Sequence, residues 1–592
     1  MFLALTSDQR FWKSDEKILF LGEWCRLYRD KSVWSALDAE VLPYYWDDRV
    51  RFKKDYFYID ALYEKYLDQL SKKLNQLHGV DYSLRYWRII VGPWLNLFMG
   101  IFYDRYLSIR QATNSGKVTQ TWLPPLQAAR HIPKDLPNFR QGLQGFINDD
   151  YNHYLYGRII EALGEIPFET KIPKVPTRDK LLPSSPSSSG AEPAKRLVKK
   201  IIGTASRWIP SQINQVIFVS SYLNFKDLFR LQWALGQLPY LAPRTVVVKN
   251  ISADLEMRKE LKLSGEDVSF ENLLREVIPE QIPTAYIESY PDMRQRAMAA
   301  FPRAPKVIYT TSTCWVNDGF NFWAAAQVEQ GAKLVISQHG GVYGTAAWSA
   351  TEAHETSVCD RFLSWGWENA DQPKVVPFLS GQLYGLHEQI KPDPKGCILW
   401  IGNAVPIYTH CLVSVPLSSQ LLNYFKEQKR FARAVGHEVY KLLVRRLFPV
   451  DFSWDEELRW VETDPALEIY RGDKTFYQQL NESRLCVGTC ASTAPLEALA
   501  GNYPTIIYFN PNMNEFRESA QPYFDDLRRV GIYHETPESA ATKVNEVYND
   551  PLLWWNSAEV QDVRKKFCHR FARTSKNWIS ELKEECQKLI EE

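Results

Sequence analysis

Two short stretches of this chain carry residue types and spacings suited to handling a phosphorylated ligand. The first is Ser337-Gln338-His339-Gly340-Gly341-Val342-Tyr343-Gly344, which directly follows the apolar run Ala332–Ser337. Glycines at 340, 341 and 344 permit positive φ and let a backbone approach a ligand closely. Exposed backbone N–H groups in such a loop can hold a phosphate. His339 can donate to a phosphate or act as acid or base, and Gln338, Gly340, Gly341 and Tyr343 would form the ligand's surroundings. A tight turn around a satisfied core histidine is the bland alternative. The second stretch is Gly488-Thr489-Cys490-Ala491-Ser492-Thr493-Ala494-Pro495-Leu496-Glu497-Ala498-Leu499. It reads as strand, small-residue turn and helix, with Ser492 and Thr493 as natural N-caps and Pro495 tolerated in the first turn. A helix N-terminus with hydroxyls binds phosphate. Glu497, a turn further on, suits a ribose diol, or simply favours the helix dipole.

Carboxylates recur nearer the N-terminus. Glu23, in Gly22-Glu23-Trp24-Cys25, follows the apolar run Ile18–Leu21 and is placed to serve as a general base. Tyr44-Tyr45-Trp46-Asp47-Asp48-Arg49 sets two acids beside a base. Asp47 reads as an N-cap, while Asp48 is open between a helix-start ion pair and catalysis. Asp318 follows the strand-like run Lys306–Thr310 and reads as an N-cap or as a catalytic acid, and Asp104-Arg105 as a structural pair. There is no P-loop, no G-x-G-x-x-G after a strand, no H-E-x-x-H and no G-x-S-x-G. Asp47-Asp48 lacks Asp-x-Asp spacing, so neither a metal nor another cofactor is expected.

These residues need a scaffold of strands whose carboxyl ends meet helices. Apolar runs at Gln215–Ser220, Thr245–Val248, Lys306–Thr310, Ala332–Ser337, Cys397–Gly402, Leu485–Gly488 and Thr505–Phe509 predict strands. Helical spacing predicts helices over Phe57–Leu77, Tyr86–Ala112, Asp318–Gln330, Leu417–Leu447, Ala494–Ala500, Pro537–Val547 and Ala558–Ile590. Buried strands alternating with helices imply parallel sheets, with ligands at the strands' carboxyl ends. The expected architecture is α/β: two Rossmann-like lobes facing a cleft, with a helical N-terminal elaboration. Residues 1–168 form the helix-rich part of the N-terminal lobe and 169–200 a Pro/Ser-rich loop or linker. Residues 201–385 form the Rossmann-like remainder of that lobe, and 386–592 the C-terminal nucleotide-binding lobe with closing helices.

Across 592 residues, 71 Lys and Arg balance 70 Asp and Glu for a net charge of +1, which argues against a nucleic-acid partner. Nine scattered cysteines without a C-x-x-C pair read as reduced thiols of a cytoplasmic protein. No apolar run approaches the ~18 residues needed to span a bilayer. A cytoplasmic location is expected, with peripheral association at the inner face of a membrane as an open alternative.

In order along residues 18–510, the chain carries GEWC, YYWDDR, GPWL with a following YDR, ND-x-F-x-x-W-A-A, QHGGVYG and S-T-x-x-L-E-A-L-A-x-N-Y-P-T. This combination resembles a bacterial family of surface-carbohydrate transferases. That family is distantly similar to the Kdo and nonulosonic-acid transferases of capsule and lipopolysaccharide assembly. The resemblance implies a GT-B-like fold and transfer of an ulosonic acid (Kdo, pseudaminic or sialic type) from a CMP-sugar donor to a surface glycan or glycoprotein. On that reading Ser492 and Thr493 approach the phosphate, Glu497 the ribose, and His339 assists the departing phosphate. Glu23 or Asp48 activates the acceptor hydroxyl or attacks the anomeric carbon. Tyr45 stands where the family pattern leads one to expect His, so that position is no essential proton carrier. The alternatives are a nucleotide-sugar 2-epimerase-like isomerase and a non-catalytic carbohydrate-assembly protein.

Overall fold

The computed structural model describes residues 1–142, 145–173, 213–242 and 246–592. Its strands form three parallel sheets. The first comprises β1 (Phe2–Ala4), β2 (Ile18–Phe20), β3 (Ala39–Val41), β4 (Gln120–Leu123) and β5 (Phe168–Thr170), ordered β3-β2-β1-β4-β5. The second comprises β6 (Val216–Val219), β7 (Val307–Thr310), β8 (Lys333–Ser337), β9 (Arg361–Ser364) and β10 (Val375–Pro377), in sequential order. The third comprises β11 (Cys397–Ile401), β12 (Leu443–Arg446), β13 (Glu468–Ile469), β14 (Ser483–Gly488), β15 (Thr505–Tyr508) and β16 (Tyr533–His534). Its order, β13-β12-β11-β14-β15-β16, is the doubly wound 3-2-1-4-5-6 arrangement, whose direction reverses between β11 and β14.

The third sheet is covered on both faces, and β11 shows why its sequence is continuously apolar. Ile398 and Trp400 enter one core with Phe431, Trp460, Val487 and Tyr508. Leu399 and Ile401 enter another with Cys486, Ala498 and Tyr503. Alternate side chains point to opposite faces of a strand, so a strand buried on both sides needs no polar positions. The helix Leu421–Ala434 covers the first of these faces. It buries Leu421, Tyr424, Phe425, Gln428, Phe431 and Ala432, a single stripe at helical spacing.

By packing, the chain divides into two compact units. One holds Met1–Ser220, Gly236–Leu334 and Pro406–Leu412; the other holds Ser221–Leu235, Val335–Val405 and Val413–Glu592. The division falls within β8. The glycine loop therefore lies in the same unit as the helix Thr493–Ala500, where the sequence reading assigned them to different lobes. The reason is local. Backbone hydrogen bonds from Ala347 N–H to Glu515 O (2.9 Å), Arg517 N–H to Thr345 O (2.9 Å) and Ser414 N–H to Trp348 O (3.0 Å) tie residues 345–348 to the C-terminal half.

Several elements differ from expectation. The stretch expected as one helix from Leu417 to Leu447 ends its main helix at Ala434, and its last residues are β12. The expected strand at 245–248 starts at a residue outside the described set, and Val246–Val248 form no strand. Of the N-terminal sheet only β2 was anticipated. Within the expected linker, Thr170 closes β5, while residues 174–200 lie outside the described residues. The helix expected from Phe57 begins at Arg49 and runs to His78, capped by Asp48 and closed by Gly79 at φ +62°, and the stretch expected as one helix over Tyr86–Ala112 is two, Leu84–Ile90 and Gly92–Asn114. Among the described residues no helix is long and apolar enough to cross a membrane.

Candidate functional site

The glycine loop leaves β8 and is held from several sides within its unit. Gln338 is buried, and its side-chain oxygen accepts from Trp365 N–H (2.8 Å) and Trp367 Nε1 (2.7 Å). Its amide nitrogen donates to Gly340 O at 2.8 Å. These bonds engage the carboxamide at both ends, so Gln338 braces the loop. The helix Ala350–Val358 follows, capped by Ser349. It presents Glu352 and Glu355, three residues apart and on one face. Glu352 accepts Gly344 N–H at 2.8 Å and pairs with Arg517 at 2.6 Å. Arg517 also donates to Ala346 O (3.2 Å) and lies over the Trp367 ring.

Glu355 holds the histidine. His339 Nε2 lies 2.9 Å from Glu355 Oε1, and the Tyr343 hydroxyl lies 3.0 Å from the same nitrogen and 3.1 Å from the same oxygen. Glu355 is fully buried, whereas the His339 side chain keeps 21% of its surface. Glu355 and Tyr343 both engage Nε2. Among the described residues, Nδ1 then remains for an incoming group. Glu355 escaped the sequence reading because it lies sixteen positions along the chain on a separate helix; no local spacing links it to His339.

Of the three glycines only Gly344 has a positive φ (+72°), and a side chain there would also strike Trp367. Gly341 is required for space. A Cβ on it would lie 2.5–2.7 Å from the backbone of Ser492 and Thr493. Its N–H donates to Thr493 Oγ1 at 3.2 Å. The glycine loop and the N-terminus of the helix Thr493–Ala500 thus touch backbone to backbone. Ser492 occupies the N-cap without making a side-chain cap bond and instead accepts from Cys490 Sγ at 3.1 Å. Glu497 lies on the buried side of this helix, where Gln382 Nε2 donates to it at 3.2 Å. Burial pushes its carboxyl up to about 7, opposed by hydrogen bonds from Tyr477 and Gln382. Glu497 lines neither of the cavities described next.

Where the third sheet reverses direction, a cavity of about 240 Å³ opens beyond the ends of β11, β14 and β15. Asn403, Thr489, Cys490 and Asn510 come from those strand ends, and Tyr424, Lys426 and Arg430 from the helix Leu421–Ala434. The Tyr424 hydroxyl accepts Asn403 N–H (2.8 Å) and meets Thr489 Oγ1 (2.8 Å), while buried Arg445 donates to it at 3.1 Å. Arg445 is itself paired with Glu456 at 2.7 Å and lies over the Trp400 ring. A second cavity of about 150 Å³ adjoins the first, sharing Asn403, Cys490 and Asn514. It is walled by Val342, Thr345 and Ala346 of the glycine loop. The strand-end principle could have found Asn403, which stands just after Cys397–Ile401.

The other residues singled out from sequence lie in the first unit. Glu23 starts a short 3-10 turn after β2 and is bound by Arg26 at 2.6 Å. Asp48 caps the helix Arg49–His78, accepting Arg51 N–H at 3.1 Å. Asp318 is not the N-cap; Asn317 is, accepting Phe320 N–H at 3.1 Å. Asp318 is buried and accepts Leu136 N–H (2.8 Å) and the Tyr286 hydroxyl (2.7 Å). Burial, then the charge of Asp135, raises its carboxyl to about 7. Asp104 and Arg105 are the expected buried pair. Asp104 accepts from the hydroxyls of Tyr44 (2.9 Å) and Tyr45 (2.5 Å). Arg105 donates to Asn152 (2.8 Å) and Thr409 O (3.2 Å). Two sequence motifs, YYWDDR and YDR, are therefore halves of one structural cluster.

Among solved structures, the spinosyn rhamnosyltransferase SpnG, complexed with spinosyn aglycone, is similar at 12% identity over 52% of this chain and 77% of that one, with a TM-score of 0.28. No curated protein sequence matches the chain. A family model matches residues 1–586, nearly the whole chain, and by that match the protein belongs to the LIC12162 family of transferases.

Proposed function

We propose that this transferase is a glycosyltransferase that moves an acidic ulosonic sugar from a CMP-activated donor to a hydroxyl of a surface glycan or glycoprotein. One observation carries the glycosyl-transfer reading. The reversal point of a doubly wound sheet opens into a cavity whose adjoining chamber is walled by residues of the loop that bears His339, which Glu355 holds from the next helix. Such reversal points are where open α/β sheets take their ligands. The CMP and ulosonic-acid part is supported by the motif resemblance. The carboxamides of Asn423 and Asn510, which line the first cavity, suit a base edge that both donates and accepts.

In this reaction the anomeric carbon–oxygen bond to CMP breaks as the acceptor oxygen bonds to that carbon. The acceptor's proton passes to a general base, a role that the motif resemblance offers to Glu23 or Asp48. His339, protonated, donates from Nδ1 to the departing phosphate, and Glu355 balances the imidazolium charge. Ser492 and the N-terminus of the helix Thr493–Ala500 add partial positive charge. One phosphate needs less neutralisation than a diphosphate, so turnover without a divalent cation is expected. The protein is proposed to act in the cytoplasm or at the inner face of a membrane.

A thermal-shift titration with CMP, UMP, UDP, GDP and ADP, with and without EDTA, tests this. Ligand at about 100 times Kd adds roughly 2.7 kcal/mol. Selective, EDTA-insensitive stabilisation by CMP is expected. Selective stabilisation by UDP, or no response to any nucleotide, rejects the proposal.

A further inference from the structure

Resting on the donor-site reading above, we infer that the second cavity seats an N-acyl substituent of the donor sugar, so that the transferred acid is an acylamino sugar. The cavity is walled by Val342, Ala346, Val405, Val415, Ala491 and Phe516, and no Lys, Arg or His lines it. The cationic residues, Lys426 and Arg430, line the first cavity instead. A carboxylate or a run of sugar hydroxyls placed in the second cavity would lose its hydrogen bonds to water and meet no cation. A mainly apolar recess of about 150 Å³ favours a small apolar group over a strongly hydrated one.

The walls are fixed. Ala346 and Phe516 form an antiparallel bridge, and the Ser414 hydroxyl donates to Glu515 O at 3.1 Å. With the backbone bonds that tie residues 345–348 to 414–517, these use polar groups of the wall and leave mainly carbon facing the space. The seam between the cavities is different. Asn403 makes no side-chain hydrogen bond among the described residues. Asn514 uses only its amide nitrogen, on Asn510 O at 3.0 Å. An acetamido group matches this division: its amide meets the two carboxamides at the seam and its methyl enters the apolar chamber. A simple hydroxyl in the same place would satisfy the seam and leave the chamber empty.

The test compares CMP with two CMP-activated nine-carbon acids that differ at one carbon, C5, which bears an acetamido group in one and a hydroxyl in the other. Binding to the full-length protein is measured by calorimetry. The acetamido donor is expected to bind about tenfold more tightly than the hydroxyl donor, the scale of filling a small apolar pocket. Ala346→Leu, which fills the chamber, should abolish that difference. Val415→Thr, nearly isosteric and less demanding on folding, should reduce it. Failure of CMP itself to bind sinks the donor-site reading and this inference with it. CMP binding with equal affinity for the two donors, or a difference that survives in both variants, overturns the inference alone.

Discussion

Replacing Gly341 by alanine should damage the site far more than the same change one residue earlier. A Cβ at Gly341 would lie 2.5 Å from the carbonyl carbon of Ser492 and 2.7 Å from the Thr493 nitrogen. Carbon contacts are comfortable at about 3.5–4.0 Å, so loop and helix must part by roughly 1 Å. Both colliding groups are backbone, so no side-chain rotation relieves the clash. The bond from Gly341 N–H to Thr493 is lost as well. Overpacking of this kind costs about 1–3 kcal/mol. A 1 Å displacement of a positioned group costs about 100-fold in rate, and His339 lies two residues away. At Gly340 an added Cβ meets only Tyr343 carbons, at 3.4 and 3.6 Å. That change should be neutral, or stabilise by up to about 1 kcal/mol through the unfolded chain. CMP release from an acylated CMP-nonulosonate, followed with thermal melts of both variants, checks the pair. A Gly341→Ala protein as active and as stable as Gly340→Ala would refute the reasoning, because the loop and the helix N-terminus would then not be in backbone contact.

Other outcomes follow from the same geometry. His339→Ala should lower kcat by about 100-fold or more, and Glu355→Gln by a similar order; pre-steady-state CMP release measures both, and a Glu355→Gln enzyme with normal kcat would remove the pair from the mechanism. Glu497 has its carboxyl raised from 4.5 to about 7 by burial, so the folded protein holds more protons than the unfolded chain between those values, and stability falls as pH rises through that window. Glu497→Gln should therefore stabilise by up to roughly 3 kcal/mol at pH 8 and by little at pH 4.5, as read from urea midpoints at the two pH values. Asp104→Asn leaves Arg105 buried without its counter-charge and should cost about 3–5 kcal/mol, seen as an early unfolding step. Asp318→Asn should keep activity within a few-fold in the CMP-release assay, because both its hydrogen bonds serve the fold.

Three strands that the sequence predicts are buried on both faces, whereas β1, equally buried, has only three residues and is not among those predicted. β11, β14 and β15 are unbroken apolar runs because both sides of each strand are covered. β12 was absorbed into a helix because LVRR holds two arginines. Arg445 is nonetheless fully buried, its charge met by Glu456 and its flat face by Trp400, a compensation invisible in local sequence. β3 is only half-buried, and β13 and β16 are two residues each, too short for any periodicity to register. At the site, strand-end position marked His339 and the Ser492–Thr493 turn, since both depend on neighbours along the chain. Glu355, Arg517 and the crowding at Gly341 depend on residues brought together by tertiary packing. Asp318 misled because a carboxylate beside a strand end looks available. Its real partners, Leu136 and Tyr286, lie far away in sequence.

The insertion of Pro406–Leu412 into the first unit bears on how the protein is made. Within that unit the Tyr408 hydroxyl donates to Asp149 at 2.6 Å, Thr409 meets the Tyr44 hydroxyl at 2.7 Å, and Arg105 bonds the carbonyl of Thr409. During synthesis, residues 1–334 leave the ribosome long before this segment does. Until then Arg105 and Asp149 lack partners that they have in the finished protein. The first unit therefore reaches its full stability only after residue 412 has emerged, by which time most of the glycine loop's own unit is still unmade. A fragment cut after β10 would expose that polar cluster, and supplying a peptide spanning 404–414 in trans should restore part of its melting temperature.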